Sequence, residues 1–304
     1  MKYKKALVTG GAGFIGSHIV DRLIKMNIET LVMDDLSVGC RKNVNKKAKL
    51  IIGNILDYNK LKKVMKGVDI VFHNAAKVSI RHSFANIYED ADTNIMGTIN
   101  VLKAMVENKV KKVIYASSMA VYGENKLPIP ESGILEPISP YGVSKLAAEK
   151  YCLLMGEINH FDVVCLRYFN TYGPRQTFTP YVGVITIFIN RLLKNEPPVI
   201  FGDGKQIRDF ISAWDVANAN ILAMKSNITG KTLNIGTGKG TSVNQIASLL
   251  IKKINPKIKP RYAAIQSGEP RDSIADVRKA KKLIGFAARF ILKNKISEVI
   301  DWLK

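Results

Sequence analysis

The sequence is short of several features, and each shortage narrows the class of protein. Its three cysteines, Cys40, Cys152 and Cys165, are too few and too scattered for a disulfide framework or a zinc cluster, so we expect no metal site. No apolar run approaches the roughly 20 residues that a bilayer-spanning helix needs. Only a short apolar stretch precedes Gly10, which indicates a strand entering a turn rather than a signal peptide. We therefore expect a cytoplasmic protein.

Acidic residues are also scarce relative to basic ones. The chain has 46 Lys and Arg but only 25 Asp and Glu, which gives a net charge of +21. Such a balance is typical of proteins that bind nucleic acids or membrane surfaces. Here, however, the lysines are scattered and have no aromatic residues interleaved with them. We interpret them as a solvated surface and expect neither a nucleic-acid nor a membrane partner.

Short apolar runs alternate with helical patterns along the first half of the chain. The runs are continuous and β-branched, as in strands that are covered on both faces. They lie at residues 6–9, 30–34, 50–53, 68–74, 113–117 and 163–168. Helical patterns lie at residues 15–25, 58–65, 87–108 and 141–157. The alternation predicts an α/β protein with a Rossmann-type, doubly wound parallel sheet.

The composition changes after Tyr168, where proline and glycine become denser. A run at residues 233–238 indicates a return to the sheet, and helical patterns follow at 243–254 and 291–303. We therefore expect a nucleotide-binding domain of residues 1–168 and 212–238. Residues 169–211 and 239–304 would then form a smaller C-terminal substrate-binding lobe.

A glycine-rich turn follows the first strand and opens the first helix, with Gly10, Gly13 and Gly16 at regular spacing. Such glycines allow a tight turn, a close approach of a pyrophosphate and close packing of helix on strand. The helix N-terminus then faces the phosphate charge. Asp34 ends the second strand, where a carboxylate binds ribose hydroxyls and repels a 2′-phosphate. This arrangement predicts NAD rather than NADP; the adjacent Asp35 is a second candidate for the ribose contact.

Tyr141 and Lys145 stand four residues apart at the start of a predicted helix, so they share one face. An ammonium beside a phenol lowers the pKa of the phenol, which gives a usable general base. Upstream, Ser117 and Ser118 follow a strand and lie at the carboxyl edge of the sheet, where ligands of such folds bind.

Taken together, these motifs resemble the extended short-chain dehydrogenase/reductase family, and within it the UDP-glucose 4-epimerase group. The resemblance covers nearly the whole chain. It is carried by TGGAGFIG (9–16), HNAAK (73–77), NIMGT (94–98), SSMAVYG (117–123), YGVSK (141–145), RYFNTYGPRQ (167–176), FGDGKQIRDF (201–210) and GEPRDSIADV (268–277). The later motifs are those of enzymes that act on nucleotide sugars.

The resemblance implies a role for each matching residue. Tyr141 would take the proton of the sugar hydroxyl, Lys145 would hold the nicotinamide ribose, and Ser118 would bond the reacting oxygen. The NAD site would also include Phe14, Ile15, Asn54, Ile55, Ala75, Asn94 and Tyr168. Asn54 departs from the aspartate that is usual there, which leaves the detail of the adenine contact open.

The substrate side is implied by the resemblance as well. Asn170 would bind the pyrophosphate region, Arg208 would clamp a diphosphate oxygen, and Arg271 and Asp276 would line the nucleotide end. Two alternatives stay open. Arg208 could form an ion pair with the neighbouring Asp209, and Asp276 could cap a helix.

Met119 and Ala120 separate the subfamilies. Dehydratases of the family carry an Asp-Glu pair after the hydroxyl residue and decarboxylases a glutamate, whereas Met119 and Ala120 can do no acid–base chemistry. The sequence therefore predicts epimerisation at C4 of a UDP-hexose, UDP-glucose or UDP-galactose, through a 4-keto intermediate. The resemblance also implies a homodimer formed through the helices at 87–108 and 141–157.

Two further hypotheses remain. The same chemistry could act on UDP-N-acetylglucosamine or UDP-glucuronate, and the small Ser273, where some relatives carry a bulky residue, leaves room for an N-acetyl group. A catalytically idle NAD- or RNA-binding relative is a different class. Such relatives often lose the tyrosine or the lysine, and this chain keeps both.

Overall fold

The structure is a computed structural model that describes residues 2–179, 182–265 and 270–304. Gly268 and Glu269, which begin the last predicted motif, lie outside the described residues. The strands are β1 (Lys5–Thr9), β2 (Glu29–Asp34), β3 (Lys49–Ile52), β4 (Ile70–His73), β5 (Lys112–Ser118), β6 (Asp162–Tyr168), β7 (Asn170–Tyr172), β8 (Val199–Phe201), β9 (Ile207–Arg208), β10 (Phe210–Ser212), β11 (Lys231–Ile235), β12 (Thr241–Ser242) and β13 (Arg261–Ala263).

Seven of these strands form one parallel sheet in the order β11-β6-β5-β4-β1-β2-β3. Each predicted strand is present in this sheet, with boundaries that differ from the prediction by three residues or fewer. The order reverses between β1 and β4, which is the switch point where ligands of open α/β sheets bind. The predicted Rossmann-type fold is confirmed.

The helices are α1 (Phe14–Lys25), α2 (Tyr58–Val64), α3 (Ile80–Ala85), α4 (Ile87–Ala91), α5 (Gly97–Glu107), α6 (Pro140–Asn159), α7 (Val184–Leu193), α8 (Ala213–Lys225), α9 (Val243–Ile254), α10 (Arg278–Ile284) and α11 (Leu292–Leu303). They cover both faces of the sheet. Side chains alternate along each strand, so Val8 packs on the face of α1, α8 and α10, and Leu7 on the face of α2, α5 and α6. Within the described ranges, none of the helices combines the length and the apolar character that crossing a bilayer requires.

The helix predicted at residues 87–108 is broken into three parts. A π-helical turn, Asp92–Met96, separates α4 from α5. Such turns are rare and often mark functional sites. Here the turn carries Asn94 inward, where its side chain donates to Ser144 Oγ at 3.0 Å and to Lys77 O at 3.0 Å.

The second half forms a smaller cluster with its own apolar core, built from α7, α9 and α11. Its strands form pairs of two or three residues: β7 with β10, β9 with β12, and β8 with β13. α8 packs against α1, as the assignment of residues 212–238 to the first domain expects. α10 also joins the core beneath the large sheet, through Ala280 and Ile284. The domain boundaries stay a prediction.

Candidate active site

The glycine turn between β1 and α1 is shaped by close backbone approaches. Gly10 has φ +68°, a left-handed conformation that favours glycine, and an added Cβ would lie 2.7 Å from Ala75 N. A Cβ on Gly16 would lie 2.2 Å from Gly10 O, so only glycine lets the helix pack on the turn. Gly13 is the N-cap of α1, and the first turn of this helix has no acidic residue. The positive end of the helix is therefore suited to a phosphate.

Asp34 lies at the end of β2, buried beside this turn. Its Oδ2 accepts a hydrogen bond from Ala12 N at 2.9 Å, and its Oδ1 accepts one from Leu36 N at 2.9 Å. Burial raises the pKa of Asp34, and these backbone N–H groups oppose the rise. The neighbouring Asp35 accepts a hydrogen bond from Asn54 Nδ2 at 3.0 Å. The structure therefore brings the candidates for the ribose contact next to Asn54, the candidate for the adenine contact.

The remaining predicted NAD residues fall into two groups. Phe14 and Ile15 begin α1, and Ala75 lies against Gly10. Ile55 is buried against the start of α5, where an added Cβ on Gly97 would lie 2.4 Å from it, while Tyr168 Oη bonds Asn220 inside the sheet core. The amide of Asn94 bonds Lys77, Ser144 and Asp90, so its side chain is occupied by the protein.

The predicted catalytic residues meet at the carboxyl edge of the sheet. Ser118 ends β5 and Tyr141 stands at the start of α6, where the Ser118 hydroxyl is close enough to lower the pKa of the Tyr141 phenol. This contact depends on Gly142, because an added Cβ there would lie 2.2 Å from Ala120 O. Lys145 lies one turn further along α6, with its Nζ 4.5 Å from the centre of the Tyr115 ring.

The electrostatics of this pair differ from the expectation. The sequence predicts that Lys145 lowers the pKa of Tyr141, whereas burial raises the pKa of Tyr141 to about 12, against a smaller lowering by the neighbouring Ser118. Burial also lowers the pKa of Lys145 to about 8. Desolvation is the largest cause of both shifts, because both groups are almost fully buried. The protein by itself thus holds a neutral phenol next to a lysine that titrates near physiological pH.

Two residues that the sequence did not single out hold the start of α6. Ser83 Oγ accepts a hydrogen bond from Tyr141 N at 3.1 Å, and Ser139 Oγ accepts one from Gly142 N at 3.1 Å. The signal for Ser139 was present, because serine before Pro140 is a typical N-cap. The signal for Ser83 was not, because its partner is 58 residues away.

The predicted substrate residues gather on the other side of the cleft. Arg208 Nη1 donates to Arg271 O at 2.6 Å, and its backbone pairs with Ser273 in a β-bridge. The Ser273 hydroxyl lies 3.5 Å from Asn170 Oδ1. Arg271 forms a half-exposed ion pair with Asp203, at 3.0 Å.

Asp209 and Asp276, the acidic residues for which a structural role was the alternative, both bond the backbone. The buried carboxylate of Asp209 accepts hydrogen bonds from the backbone N–H groups of Thr237, Gly238 and Ala275, so it secures a turn. Asp276 Oδ1 accepts from Arg278 N at 3.0 Å at the start of α10, and the guanidinium of Arg278 lowers the pKa of Asp276. The N-cap of α10 is Val277, with no side-chain capping bond, so Asp276 closes the turn before the helix and is not its cap. Nowhere in the residues that the structure describes do three or more His, Cys, Asp or Glu side chains gather as metal ligands.

Comparisons with known proteins agree with this geometry. The model of the NAD dependent epimerase/dehydratase family matches residues 6–236. The chain belongs to this family. It is 42% identical, over 98% of both chains, to a protein of Methanocaldococcus jannaschii that is provisionally named UDP-glucose 4-epimerase.

Solved structures of other family members are close in shape. The UDP-glucose 4-epimerase of Thermotoga maritima, solved with UDP-glucose, superimposes with a TM-score of 0.95 at 38% identity, covering 98% of each chain. The UDP-N-acetylglucosamine 4-epimerase of Methanobrevibacter ruminantium, solved with UDP-N-acetylmuramic acid, gives a TM-score of 0.94 at 37% identity, covering 99% of this chain and 98% of that one. The extended family that the sequence motifs resemble is confirmed.

Proposed function

We propose that this protein is an NAD-dependent 4-epimerase of a UDP-hexose, with UDP-glucose and UDP-galactose as its substrate pair. The observation that carries the proposal is the placement of Tyr141 at the start of α6 beside Ser118 at the end of β5, where the serine lowers the pKa of the phenol, with Lys145 one turn away. The three groups lie at the sheet edge that also carries the glycine turn. Met119 and Ala120 follow Ser118, so the acids that a dehydratase or a decarboxylase would need there are replaced by apolar side chains.

The residues present fit NAD. A Cβ built on Gly13 would meet only Gly10 O, at 3.2 Å, among the described atoms within 4 Å, so the remaining side of this glycine is open and would accept the pyrophosphate. Asp34 would bind the adenosine ribose, and Lys145 the nicotinamide ribose. The chemistry that bound NAD supplies is reversible hydride transfer at C4 of the sugar.

The protein's own task is to move one proton and hold one diphosphate. Once its own proton has passed to solvent, the Tyr141 phenolate takes the proton of the 4-hydroxyl and later returns it, while Ser118 Oγ hydrogen-bonds the same oxygen. Lys145 is protonated below its pKa of about 8, and its charge favours the phenolate when the substrate oxygen arrives.

The diphosphate must stay bound while the flat 4-keto sugar turns over. Arg208 and Arg271 are suited to this task, since a guanidinium pairs with two phosphate oxygens at once. Asn170 lies near Arg208, because Ser273 contacts both residues. Asp276 lies three residues after Ser273 in the segment that begins with Arg271. A clamp on the nucleotide leaves the sugar itself free to rotate.

The direct test is to incubate the purified protein with UDP-glucose, UDP-N-acetylglucosamine and UDP-glucuronate and to identify the products by NMR. We expect UDP-galactose from UDP-glucose. A protein that carries NAD and converts none of the three sugars would contradict the proposal.

A second candidate substrate is UDP-N-acetylglucosamine. Ser273 is fully buried in the substrate side and is small, and one similar structure is a UDP-N-acetylglucosamine 4-epimerase. Ser273→Tyr tests whether the small residue at this position is what admits an N-acetyl group. It should lower turnover of the N-acetylated sugar at least about tenfold, as expected for steric exclusion from a packed pocket, and spare UDP-glucose.

A homodimer and a cytoplasmic location are part of the same proposal. α6 exposes an apolar stripe of Val143, Leu154 and Ile158, and the neighbouring π-helical turn exposes Met96. Exposed apolar side chains in one stripe are typical of an interface. Analytical ultracentrifugation should give twice the mass of one chain, and Leu154→Glu should return a monomer.

A further inference from the structure

A buried ion pair stands behind the catalytic face of α6. Glu149 lies two turns after Tyr141, on the face that carries Tyr141 and Lys145, and is 1% exposed. Its carboxylate accepts hydrogen bonds from Arg167 Nε at 3.0 Å and Nη2 at 2.5 Å, and from Ser117 Oγ at 2.6 Å. Arg167 belongs to β6 and Ser117 to β5, so one carboxylate ties the helix to two strands. Ser117 directly precedes Ser118.

The other end of Arg167 reaches a different part of the molecule. Its Nη1 donates to Tyr122 Oη at 2.7 Å and to Glu131 O at 3.1 Å. Tyr122 Oη in turn donates to Asn234 Oδ1 at 2.7 Å. Asn234 completes the network by donating through Nδ2 to Ile129 O at 2.9 Å. Residues 129–131, in the connection between β5 and α6, are therefore held on the sheet.

The same connection supports the segment that carries the predicted nucleotide contacts. Ile129 N donates to Ile274 O at 2.8 Å, and Ile129 O accepts from Asp276 N at 2.9 Å. Nearby, Glu124 Oε1 accepts from Arg271 N at 2.9 Å. The hydrogen-bond network thus runs without a break from α6 to residues 271–276.

Stability alone does not explain such a pair. Removing two charges from water is costly, and apolar residues of similar volume often stabilise a core equally well or better. Apolar packing tolerates small shifts, however, whereas a carboxylate held by three directed bonds fixes the helix against both strands. The site needs this accuracy, because misplacing a catalytic group by about 1 Å can cost a hundredfold in rate.

We infer that Glu149 and Arg167 are positioning residues that align the two sides of the active site. The bonds of Glu149 position Tyr141 and Lys145 relative to Ser118. The bonds of Arg167 to Tyr122 and Glu131 position the segment that contains Arg271 relative to the sheet. The kinetic consequence rests on the proposed epimerase function.

Two conservative variants test the two parts of the network separately. Ser117→Ala removes the hydroxyl that bonds Glu149 of α6. Tyr122→Phe removes the hydroxyl that links Arg167 to Asn234 beside residues 129–131. Since a hydrogen bond to a charged group carries substantial energy, we expect Ser117→Ala to lower kcat about tenfold with KM unchanged. We expect Tyr122→Phe to raise KM for the UDP-sugar about fivefold with kcat within about twofold of wild type.

The control is Lys112, a buried lysine at the other end of the strand that carries Ser117, remote from the active site. Lys112 begins β5, and its Nζ donates to Ser226 O at 2.8 Å. Lys112→Met should lower the melting temperature without changing kcat or KM. If Ser117→Ala and Tyr122→Phe behave like Lys112→Met, or change kcat and KM in the same proportion, the inference is wrong.

Hydrogen–deuterium exchange tests the inference without turnover. Ser117→Ala should speed exchange at residues 141–145, and Tyr122→Phe at residues 271–276. Equal effects of each variant on both segments, or none, would overturn the inference. If the two variants show these exchange patterns but the wild-type protein converts no UDP-sugar, the proposed function alone is overturned.

Discussion

The two sides of the cleft are built by different means. On the cofactor side, long parallel strands and the glycine turn set the positions of Gly13, Asp34 and Ser118 through the backbone of one sheet. On the substrate side, Asn170 and Arg208 stand on strands of two or three residues, which are held together largely by side-chain and bridge contacts. The first construction is suited to a cofactor that keeps one position, and the second to a substrate that must turn.

The charges follow the same division. Tyr141 and Lys145 are buried, whereas the side chains of Arg271 and Asp203 are 56% and 47% exposed. An exposed ion pair is worth little, so Arg271 can exchange Asp203 for a diphosphate at small cost. The cofactor side is thus preorganised, and the substrate side can rearrange around its ligand.

The largest effect should come from Tyr141→Phe. Removal of the phenolic oxygen removes the proton acceptor, so we expect kcat to fall at least about a hundredfold. KM for the UDP-sugar should change little, because the diphosphate clamp lies across the cleft. Steady-state kinetics on UDP-glucose or UDP-galactose measures both constants.

Tyr115→Phe is a matched control for that variant. Tyr115 lies under Lys145, and within the described residues its buried hydroxyl has no hydrogen-bond partner. Its loss should leave kcat within about twofold, since a hydroxyl without a partner adds no hydrogen-bond energy. Equal losses for both variants would mean that Tyr141 acts through packing and not as a base.

A substitution on the substrate side should have the opposite kinetic signature. Arg208→Met should raise KM for the UDP-sugar roughly ten- to hundredfold, because charge-assisted bonds to a diphosphate are lost. NAD affinity, measured by calorimetry, should remain unchanged. Arg261→Met, at an exposed position of β13, is the control. A loss of NAD affinity in Arg208→Met would show that the two sides are not independent.

The sequence predicted the cofactor side well, because its determinants are local. Gly10, Gly13 and Gly16 fall within seven residues, and each strand has its own apolar run. The break at Asp92–Met96 could not be predicted from residues 87–108 alone. It carries Asn94 to partners at Lys77 and Ser144, which are distant in the sequence.

The second half of the chain shows a second limit. α8 was missed although a local signal was present: Ser212 caps the helix by accepting from Asp215 N. The short pairings of β7, β9 and β10 left no such signal, because strands of two or three residues show no periodicity. The link between Glu149 and Arg167 was equally hidden, since neither residue type indicates its partner.

A third variant tests the cofactor side by itself. Asp34→Asn should weaken NAD binding about tenfold, because a charge-assisted bond to the ribose becomes a neutral one. The preference for NAD over NADP should also shrink, as the charge that repels a 2′-phosphate is gone. Asp35→Asn should have a smaller effect on both, since Asp35 bonds Ser37 and Asn54. Unchanged affinity in Asp34→Asn would move the ribose contact to Asp35.

The smallest effect concerns the pH dependence of stability. Burial lowers the pKa of Lys145 to about 8, from 10.5 in an exposed lysine. Between these values the unfolded chain binds a proton that the folded protein does not, so the contribution of Lys145 to the free energy of unfolding should rise with pH, by at most about 1.4 kcal/mol per pH unit.

Chemical denaturation of the NAD-free protein between pH 8 and 10 measures this slope. Lys145→Met should reduce it, and Lys112→Met should do the same, because burial lowers the pKa of Lys112 to about 8 as well. At higher pH the trend should reverse, since burial raises the pKa values of Cys152, Cys165 and Tyr141 and these groups ionise first in the unfolded chain. Identical slopes in wild type and Lys145→Met would mean that Lys145 is solvated in the free protein, and the cofactor side would then be no more preorganised than the substrate side.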